Sequence, residues 1–197
     1  EPGCYALCVG GHGLTGEADE FPLLGRTVEG DGAISCHVGN IVGGIAGAGV
    51  GVTIRDGVEP DAAFAAMCAE RRTDGTLRYV LSYRTAPGEP RMTAGSFTPK
   101  VPSTERWIRL RKFGIDFVGE ESKDGETWTT VGRRVTIEGL DAPFAGAVAY
   151  GRDLASGGTH PGLEGRVCSL EWTPAPPEGP AFRRGDSNCD GAEDLSD

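Results

Sequence analysis

Apolar and polar residues alternate with a period of two through much of the chain. Ile34, Cys36 and Val38 fall on one face of an extended run, and Val50, Val52 and Ile54 on another, opposite Gly49, Gly51 and Thr53. Ile108 and Leu110 alternate with Trp107, Arg109 and Arg111, and Cys168, Leu170 and Trp172 with Val167, Ser169 and Glu171. Side chains two apart on a strand share a face, so the pattern predicts sheets with one buried side. Strands are expected over 33–41, 48–55, 62–71, 77–85, 91–97, 105–112, 115–122, 127–131, 145–150 and 165–173. The stretch 61–70 also reads as a helix; no other segment carries a helical period. Stacking the apolar faces gives an all-β, two-sheet antiparallel sandwich.

Turn chemistry divides these runs. Asp74-Gly75 and Asp124-Gly125 each join two strand-like segments, as tight hairpins needing positive φ require. The pattern breaks at Thr173-Pro-Ala-Pro-Pro-Glu-Gly-Pro180, where the prolines exclude a central strand and favour a stiff, extended linker. The expected organisation is a β domain over 1–172, a Pro-rich linker over 173–185 and a terminal loop over 186–197.

That loop has the spacing of a calcium site. Asp186, Asn188, Asp190, Asp194 and Asp197 occupy loop positions 1, 3, 5, 9 and 12; Gly191 stands at the sharp turn, and Ala192 at position 7 needs to supply only its carbonyl. Calcium is a hard cation that takes six to eight oxygens, and this spacing wraps them around one point. The run Arg184–Asp197 resembles the first calcium loop of a bacterial dockerin module. Because the sequence ends at loop position 12, the resemblance implies calcium binding and an extracellular setting, not docking to a cohesin.

Composition narrows the partners. The chain has 32 Gly, 7% aromatic residues, a net charge of −10 and a pI near 4.8. An acidic surface disfavours nucleic acid, and no apolar run reaches the length of a membrane-spanning helix. Glu1 in place of Met fits a removed signal peptide or a fragment. Cys4, Cys8, Cys36, Cys68, Cys168 and Cys189 form no C-x-x-C pair, so zinc is poorly supported. An even number of cysteines beside a calcium loop suits disulfides in an oxidising compartment. Fifteen full pairings are possible; Cys36, Cys68 and Cys168 also suit buried core positions. A bridge from Cys189 to the body would anchor the tail.

Four stretches resemble the concanavalin A-like lectin/glucanase jelly roll of bacterial extracellular proteins: Gly13–Phe21, Gly49-Val-Gly-Val-Thr-Ile-Arg-Asp56, Trp107-Ile-Arg-Leu-Arg-Lys112 and Ser122-Lys-Asp-Gly-Glu-Thr-Trp128. The resemblance implies a two-sheet jelly roll and leaves function open, because the fold hosts lectins, glycosidases and structural modules.

Candidate chemistry is sparse. Laminarinase-like hydrolases of this fold carry Glu-x-Asp-x-x-Glu; here Glu17-Ala-Asp19 is followed by Pro22 in the last position. The glycine-rich run 42–51 lacks the βαβ setting of a nucleotide loop. His12, His37 and His160 are scattered, and His37 must face away from Cys36. Asp124 and Trp128 read as hairpin architecture. Trp107, Arg109 and Arg111 form a basic-aromatic stripe, and Tyr79 and Tyr83 share a face; these are the candidate ligand or interface residues. The expectation is a non-catalytic extracellular structural or adhesive module that binds Ca²⁺ through its terminal loop and associates with copies of itself, as a filament, or with a cell-surface scaffold. The alternative is a carbohydrate-binding module of a larger secreted protein, with polysaccharide as the partner.

Overall fold

The computed structural model describes residues 3–9, 13–15, 17–20, 22–43, 46–100, 105–140, 142–151 and 163–176. In chain order the strands are β1 (Cys4–Val9), β2 (Gly13–Thr15), β3 (Ala18–Glu20), β4 (Leu23–Thr27), β5 (Gly32–Gly43), β6 (Gly49–Arg55), β7 (Phe64–Arg71), β8 (Leu77–Arg84), β9 (Met92–Phe97), β10 (Arg106–Phe113), β11 (Asp116–Ser122), β12 (Thr129–Thr136), β13 (Phe144–Tyr150) and β14 (Leu163–Pro174). Two antiparallel six-stranded sheets stack face to face. The first runs β1-β14-β5-β10-β11-β12 and the second β4-β13-β6-β7-β8-β9; β2 and β3 form a small separate hairpin. The stretch 61–70, open to two readings in the sequence, contains most of β7.

The predicted alternation builds the core. Ile34, Cys36 and Val38 of β5, with Ile108 and Leu110 of β10, meet Val50, Val52 and Ile54 of β6 and Met67, Tyr79 and Leu81 of β7 and β8. The second sheet is also buried on its other face, where Phe64, Ala66, Cys68, Val148 and Tyr150 form a smaller cluster. That is why β7 and β13 are apolar on both sides and alternate poorly in sequence.

Strand β14 departs from simple alternation. Val167 points into the core opposite Val38, while Cys168 faces out beside His37. The register then shifts, Ser169 takes a positive φ of 52°, and Trp172 lies opposite Ile34, packed against the core with Leu170. A bulge therefore turns the strand over, so Cys168 does not share a face with Leu170 and Trp172 as strict alternation expects. β14 also runs past residue 172. Pro174 still pairs with Gly32, and the Ala175 N–H donates to the Asp31 carbonyl at 2.8 Å. The proline is tolerated because β1 pairs only as far as Cys168, leaving this end of β14 an edge that needs no donor on its outer side.

Cys4 and Cys168 face each other across β1 and β14 and form a disulfide closing a sequence separation of 164. At the other end of the first sheet, β12 crosses β9 so closely that a Cβ on Gly95 would lie 2.2 Å from the Gly132 Cα. Only glycine permits that approach.

Candidate functional site

The outer face of the first sheet carries its polar side chains in registered rows. His37, Trp107 and Ser122 form one row across β5, β10 and β11; Ser35, Arg109 and Glu120 form the next; Ala33, Arg111 and Val118 the third. Arg109 Nε donates to a Glu120 carboxylate oxygen at 2.7 Å, and Arg111 lies 3.6 Å from the other oxygen. Lys112 approaches Asp31 at 3.4 Å, and the Asp31 carboxylate also accepts the Gly114 N–H at 2.7 Å.

Asp31, Ser35, Arg109, Arg111 and Lys112 border a cavity of about 590 Å³. Arg109, Arg111 and Lys112 supply positive charge; Trp128 and Phe113 supply aromatic surface; Thr173, Pro174 and Pro176 form the opposite wall. Its volume lies in the range of small-ligand sites, and its mix of aromatic rings and convergent polar groups suits one. Three cationic side chains meet two carboxylates, Glu120 and Asp31, so the basin is locally positive on a chain whose net charge is −10.

Trp107 and Trp128 take distinct places. Trp128 lines the basin, and the Arg109 guanidinium sits over its ring, 4.0 Å from the centroid. Trp107 lies under the β11–β12 hairpin: a Cβ on Gly125 would come within 3.0 Å of its ring, and the His37 ring is 5.3 Å away on the neighbouring strand. Gly125, at a φ of 80°, is thus required twice, for the turn and for the ring beneath it. The hairpin itself is set by Asp124. Its carboxylate accepts the Glu126 and Thr127 N–H groups at 2.9 and 2.8 Å and the Ser122 hydroxyl at 2.8 Å. The backbone N–H donors of Thr127 and Glu126, with the Ser122 hydroxyl, draw the Asp124 pKa down to about 2. Of the predicted stripe, Arg109 and Arg111 reach the basin, and Trp107 holds the adjoining turn.

Tyr79 and Tyr83 share a face, as their spacing requires, but that face is the interior, so they do not join the basin. Burial foremost, with the negative Glu121 adding to it against Arg106, pushes the Tyr79 hydroxyl up to about 12. The Tyr83 hydroxyl accepts a hydrogen bond from Arg133 at 2.7 Å.

A second polar cluster lies on the outer face of the other sheet and was not singled out in the sequence. Glu70 of β7 is buried, yet both carboxylate oxygens are taken. Arg78 donates to one at 2.8 and 3.1 Å; Arg91 at 2.5 Å and the Tyr150 hydroxyl at 2.7 Å donate to the other. Burial alone would raise the Glu70 pKa, but the Arg91 charge and the hydrogen bonds from Arg91, Tyr150 and Arg78 outweigh it and hold the carboxyl below its ordinary value. Burial, reinforced by Cys68 and Glu70, holds the Tyr150 hydroxyl well above its ordinary value. Both groups are locked in their resting protonation states, and the cluster ties β7, β8 and β13 to the segment entering β9. Its only sequence signal is an acidic residue ending a strand that is apolar on both faces.

The calcium-loop residues Asp186, Asn188, Asp190, Ala192, Asp194 and Asp197 lie outside the described residues, as do Cys189, His12 and His160. Glu17 is exposed in the turn between β2 and β3. Among the described residues, no group of three or more His, Cys, Asp or Glu side chains is placed to hold a metal.

No family model matches the chain, and no curated protein matches it either. Solved structures do. A functionally unknown protein from Saccharomyces cerevisiae superposes with a TM-score of 0.69 at 15% identity, covering 90% of this chain and 91% of that one. A GH43 protein from Bacillus licheniformis gives a TM-score of 0.58 at 12% identity over 85% of this chain, which spans only 33% of that protein. An alginate lyase from Klebsiella pneumoniae gives 0.50 at 11% identity over 74% of this chain and 60% of that one. What these likenesses establish is the fold: the chain is a jelly-roll, concanavalin A-like β-sandwich.

Proposed function

We propose that the chain is a non-catalytic, extracellular carbohydrate-binding module that takes an acidic polysaccharide in the basin on its first sheet. The observation that carries this reading is the Arg109–Trp128 pair at the floor of a locally positive cavity in a strongly acidic protein. An aromatic ring offers an apolar face to the C–H side of a sugar ring, and arginine matches a carboxylate in a planar, bidentate fashion. The Asp31 carboxylate of the basin and the Glu120 carboxylate beside it are already engaged by Lys112, the Gly114 N–H, Arg109 and Arg111, which suits holding a ligand rather than moving a proton. The Cys4–Cys168 disulfide favours an oxidising setting. Ca²⁺ belongs to the terminal loop, whose donors Asp186, Asn188, Asp190, Asp194 and Asp197 are all oxygens and suit a hard cation.

Alginate, a polyuronate, is a suitable first probe, since a lyase named for it shares the fold. Titration calorimetry with alginate and with a neutral glucan of equal length, with and without EGTA, tests the reading. Binding of the polyuronate that disappears in Arg111→Ala supports it. Equal or absent binding of both polymers removes it.

A structural or adhesive module is the second reading, and one feature favours it. Tyr5, Leu24, Leu170 and Trp172 line a cavity of about 440 Å³ beside β4, whose outer edge has no partner strand among the described residues. An open edge with apolar side chains beside it is where a strand from another copy or a scaffold adds. Sedimentation showing a monomer at every concentration, with and without Ca²⁺, removes this reading.

A further inference from the structure

We infer that the basin holds an unbranched acidic oligosaccharide lengthwise along β5, with a carboxylate turned to β10 and an uncharged edge turned to β14. This rests on the carbohydrate-binding reading above and adds the course and the shape of the ligand.

The floor of the basin is made of small residues. Ala33 and Ser35 are the outward positions of β5 there, and Gly32 lies beside them. The neighbouring strands stand taller. On β10, Arg111 is opposite Ala33 and Arg109 opposite Ser35. On β14, Thr173 is opposite Ala33, and Pro174 and Pro176 continue the wall. A line of small side chains between two lines of larger ones is a trough that follows the strand.

The dimensions fix the course of a ligand. β14 and β10 are the two neighbours of β5, so their backbones lie about 10 Å apart, twice the strand spacing. The side chains of both walls narrow that gap. From Ser35 to Asp31 the floor runs about 13 Å at the rise of a strand. The next row blocks one end, where the His37 and Trp107 rings stand 5.3 Å apart. A sugar chain laid across the strands collides with both walls. Laid along β5 it meets the small floor, and a branch finds no room on either side.

The walls differ in charge. Arg109 and Arg111 line the basin from β10, and a guanidinium matches a carboxylate with two parallel N–H donors. The β14 wall lines it with Thr173, Pro174 and Pro176, none of them cationic. The next outward residue of that wall is Glu171, exposed and in register with Ser35. Residues of one row share a face, so Glu171 stands across the trough from Arg109. A ligand carboxylate is therefore attracted to one wall and repelled by the other. Ala33 and Ser35 select the width of the ligand, and Glu171 selects which edge carries the acid.

Calorimetry with alginate oligosaccharides from monomer to hexasaccharide, beside a thermal scan of each variant, tests this. Affinity should rise with length and level off by the tetrasaccharide, because sugars beyond the floor find no wall. Ala33→Leu fills the floor without changing charge and should weaken tetrasaccharide binding about tenfold or more at an unchanged melting temperature. If that variant unfolds early, Ser35→Gln applies the same block one row away. Glu171→Gln should strengthen binding about twofold, the size of one screened like-charge repulsion across the trough. Full affinity in folded Ala33→Leu and Ser35→Gln, or affinity still climbing at the hexasaccharide, overturns the course along β5. Unchanged or weaker binding by Glu171→Gln overturns the assignment of edges. In each of these cases the carbohydrate-binding reading stands as long as Arg111→Ala abolishes binding. Absence of binding at every length overturns both.

Discussion

The Arg109 guanidinium is held from two sides, by the Trp128 ring 4.0 Å away and by the Glu120 carboxylate at 2.7 Å. A long side chain on an open sheet face would ordinarily sample several rotamers; here an aromatic plane and an ion pair fix it before any ligand arrives. Ordering that need not be bought at binding strengthens association.

Trp128→Ala should therefore weaken polyuronate binding by about tenfold or more, since it removes both a stacking surface and the support of Arg109. Its melting temperature should change little. Calorimetry beside a thermal scan separates the two effects.

Trp107→Ala should do the reverse. Its ring fills the space beneath Gly125 and next to His37. Removing it should cost about 2–4 kcal/mol of stability, read from urea unfolding, while the folded fraction keeps its ligand affinity.

Glu70→Gln should lower stability by about 3 kcal/mol at neutral pH, because it leaves Arg91 and Arg78 facing a neutral group. Glu70 has a folded pKa below its unfolded value. Its ionised form thus stabilises the fold above the ordinary glutamate range, and that contribution is lost as pH falls through the lower, folded value. The gap between wild type and variant should narrow accordingly below about pH 4. Chemical denaturation at stepped pH measures it.

Reduction of Cys4–Cys168 should destabilise the sandwich by about 2–5 kcal/mol, since the bridge restrains nearly the whole unfolded chain. Cys4→Ser should reproduce the loss, and a reductant should then add nothing further through this bond. Comparing unfolding midpoints with and without reductant checks it.

The sandwich was legible because period-two patterning survives wherever one face is wet and the other dry, as along β5 and β10. It failed where that contrast disappears. β1 and β4 are short edge strands with few inward side chains, and neither stands out in the sequence. β14 looked regular because a bulge inserts one residue without changing the composition, and only the positive φ at Ser169 betrays it. The site was half legible. Arg109 and Arg111 were identifiable from strand parity, but parity cannot tell which of two tryptophans a turn will cover. That depended on the register between β10 and the hairpin following β11, which places Gly125 over Trp107. Tyr79 and Tyr83 were correctly placed on one side of β8, but spacing does not say which side is inside. Glu70 was hidden because its partners come from three other segments and meet only in the folded sheet.

The bridge between β1 and β14 also decides how the domain answers to force. Tension applied to the segments before Cys4 and after Cys168 first peels residues 169–174 from β5 and then passes through one covalent bond, so the strands between the two cysteines are spared. Pulled in this way, the oxidised domain should extend only by the segments outside the bridge. It would act as an inextensible link until a reductant cuts that bond.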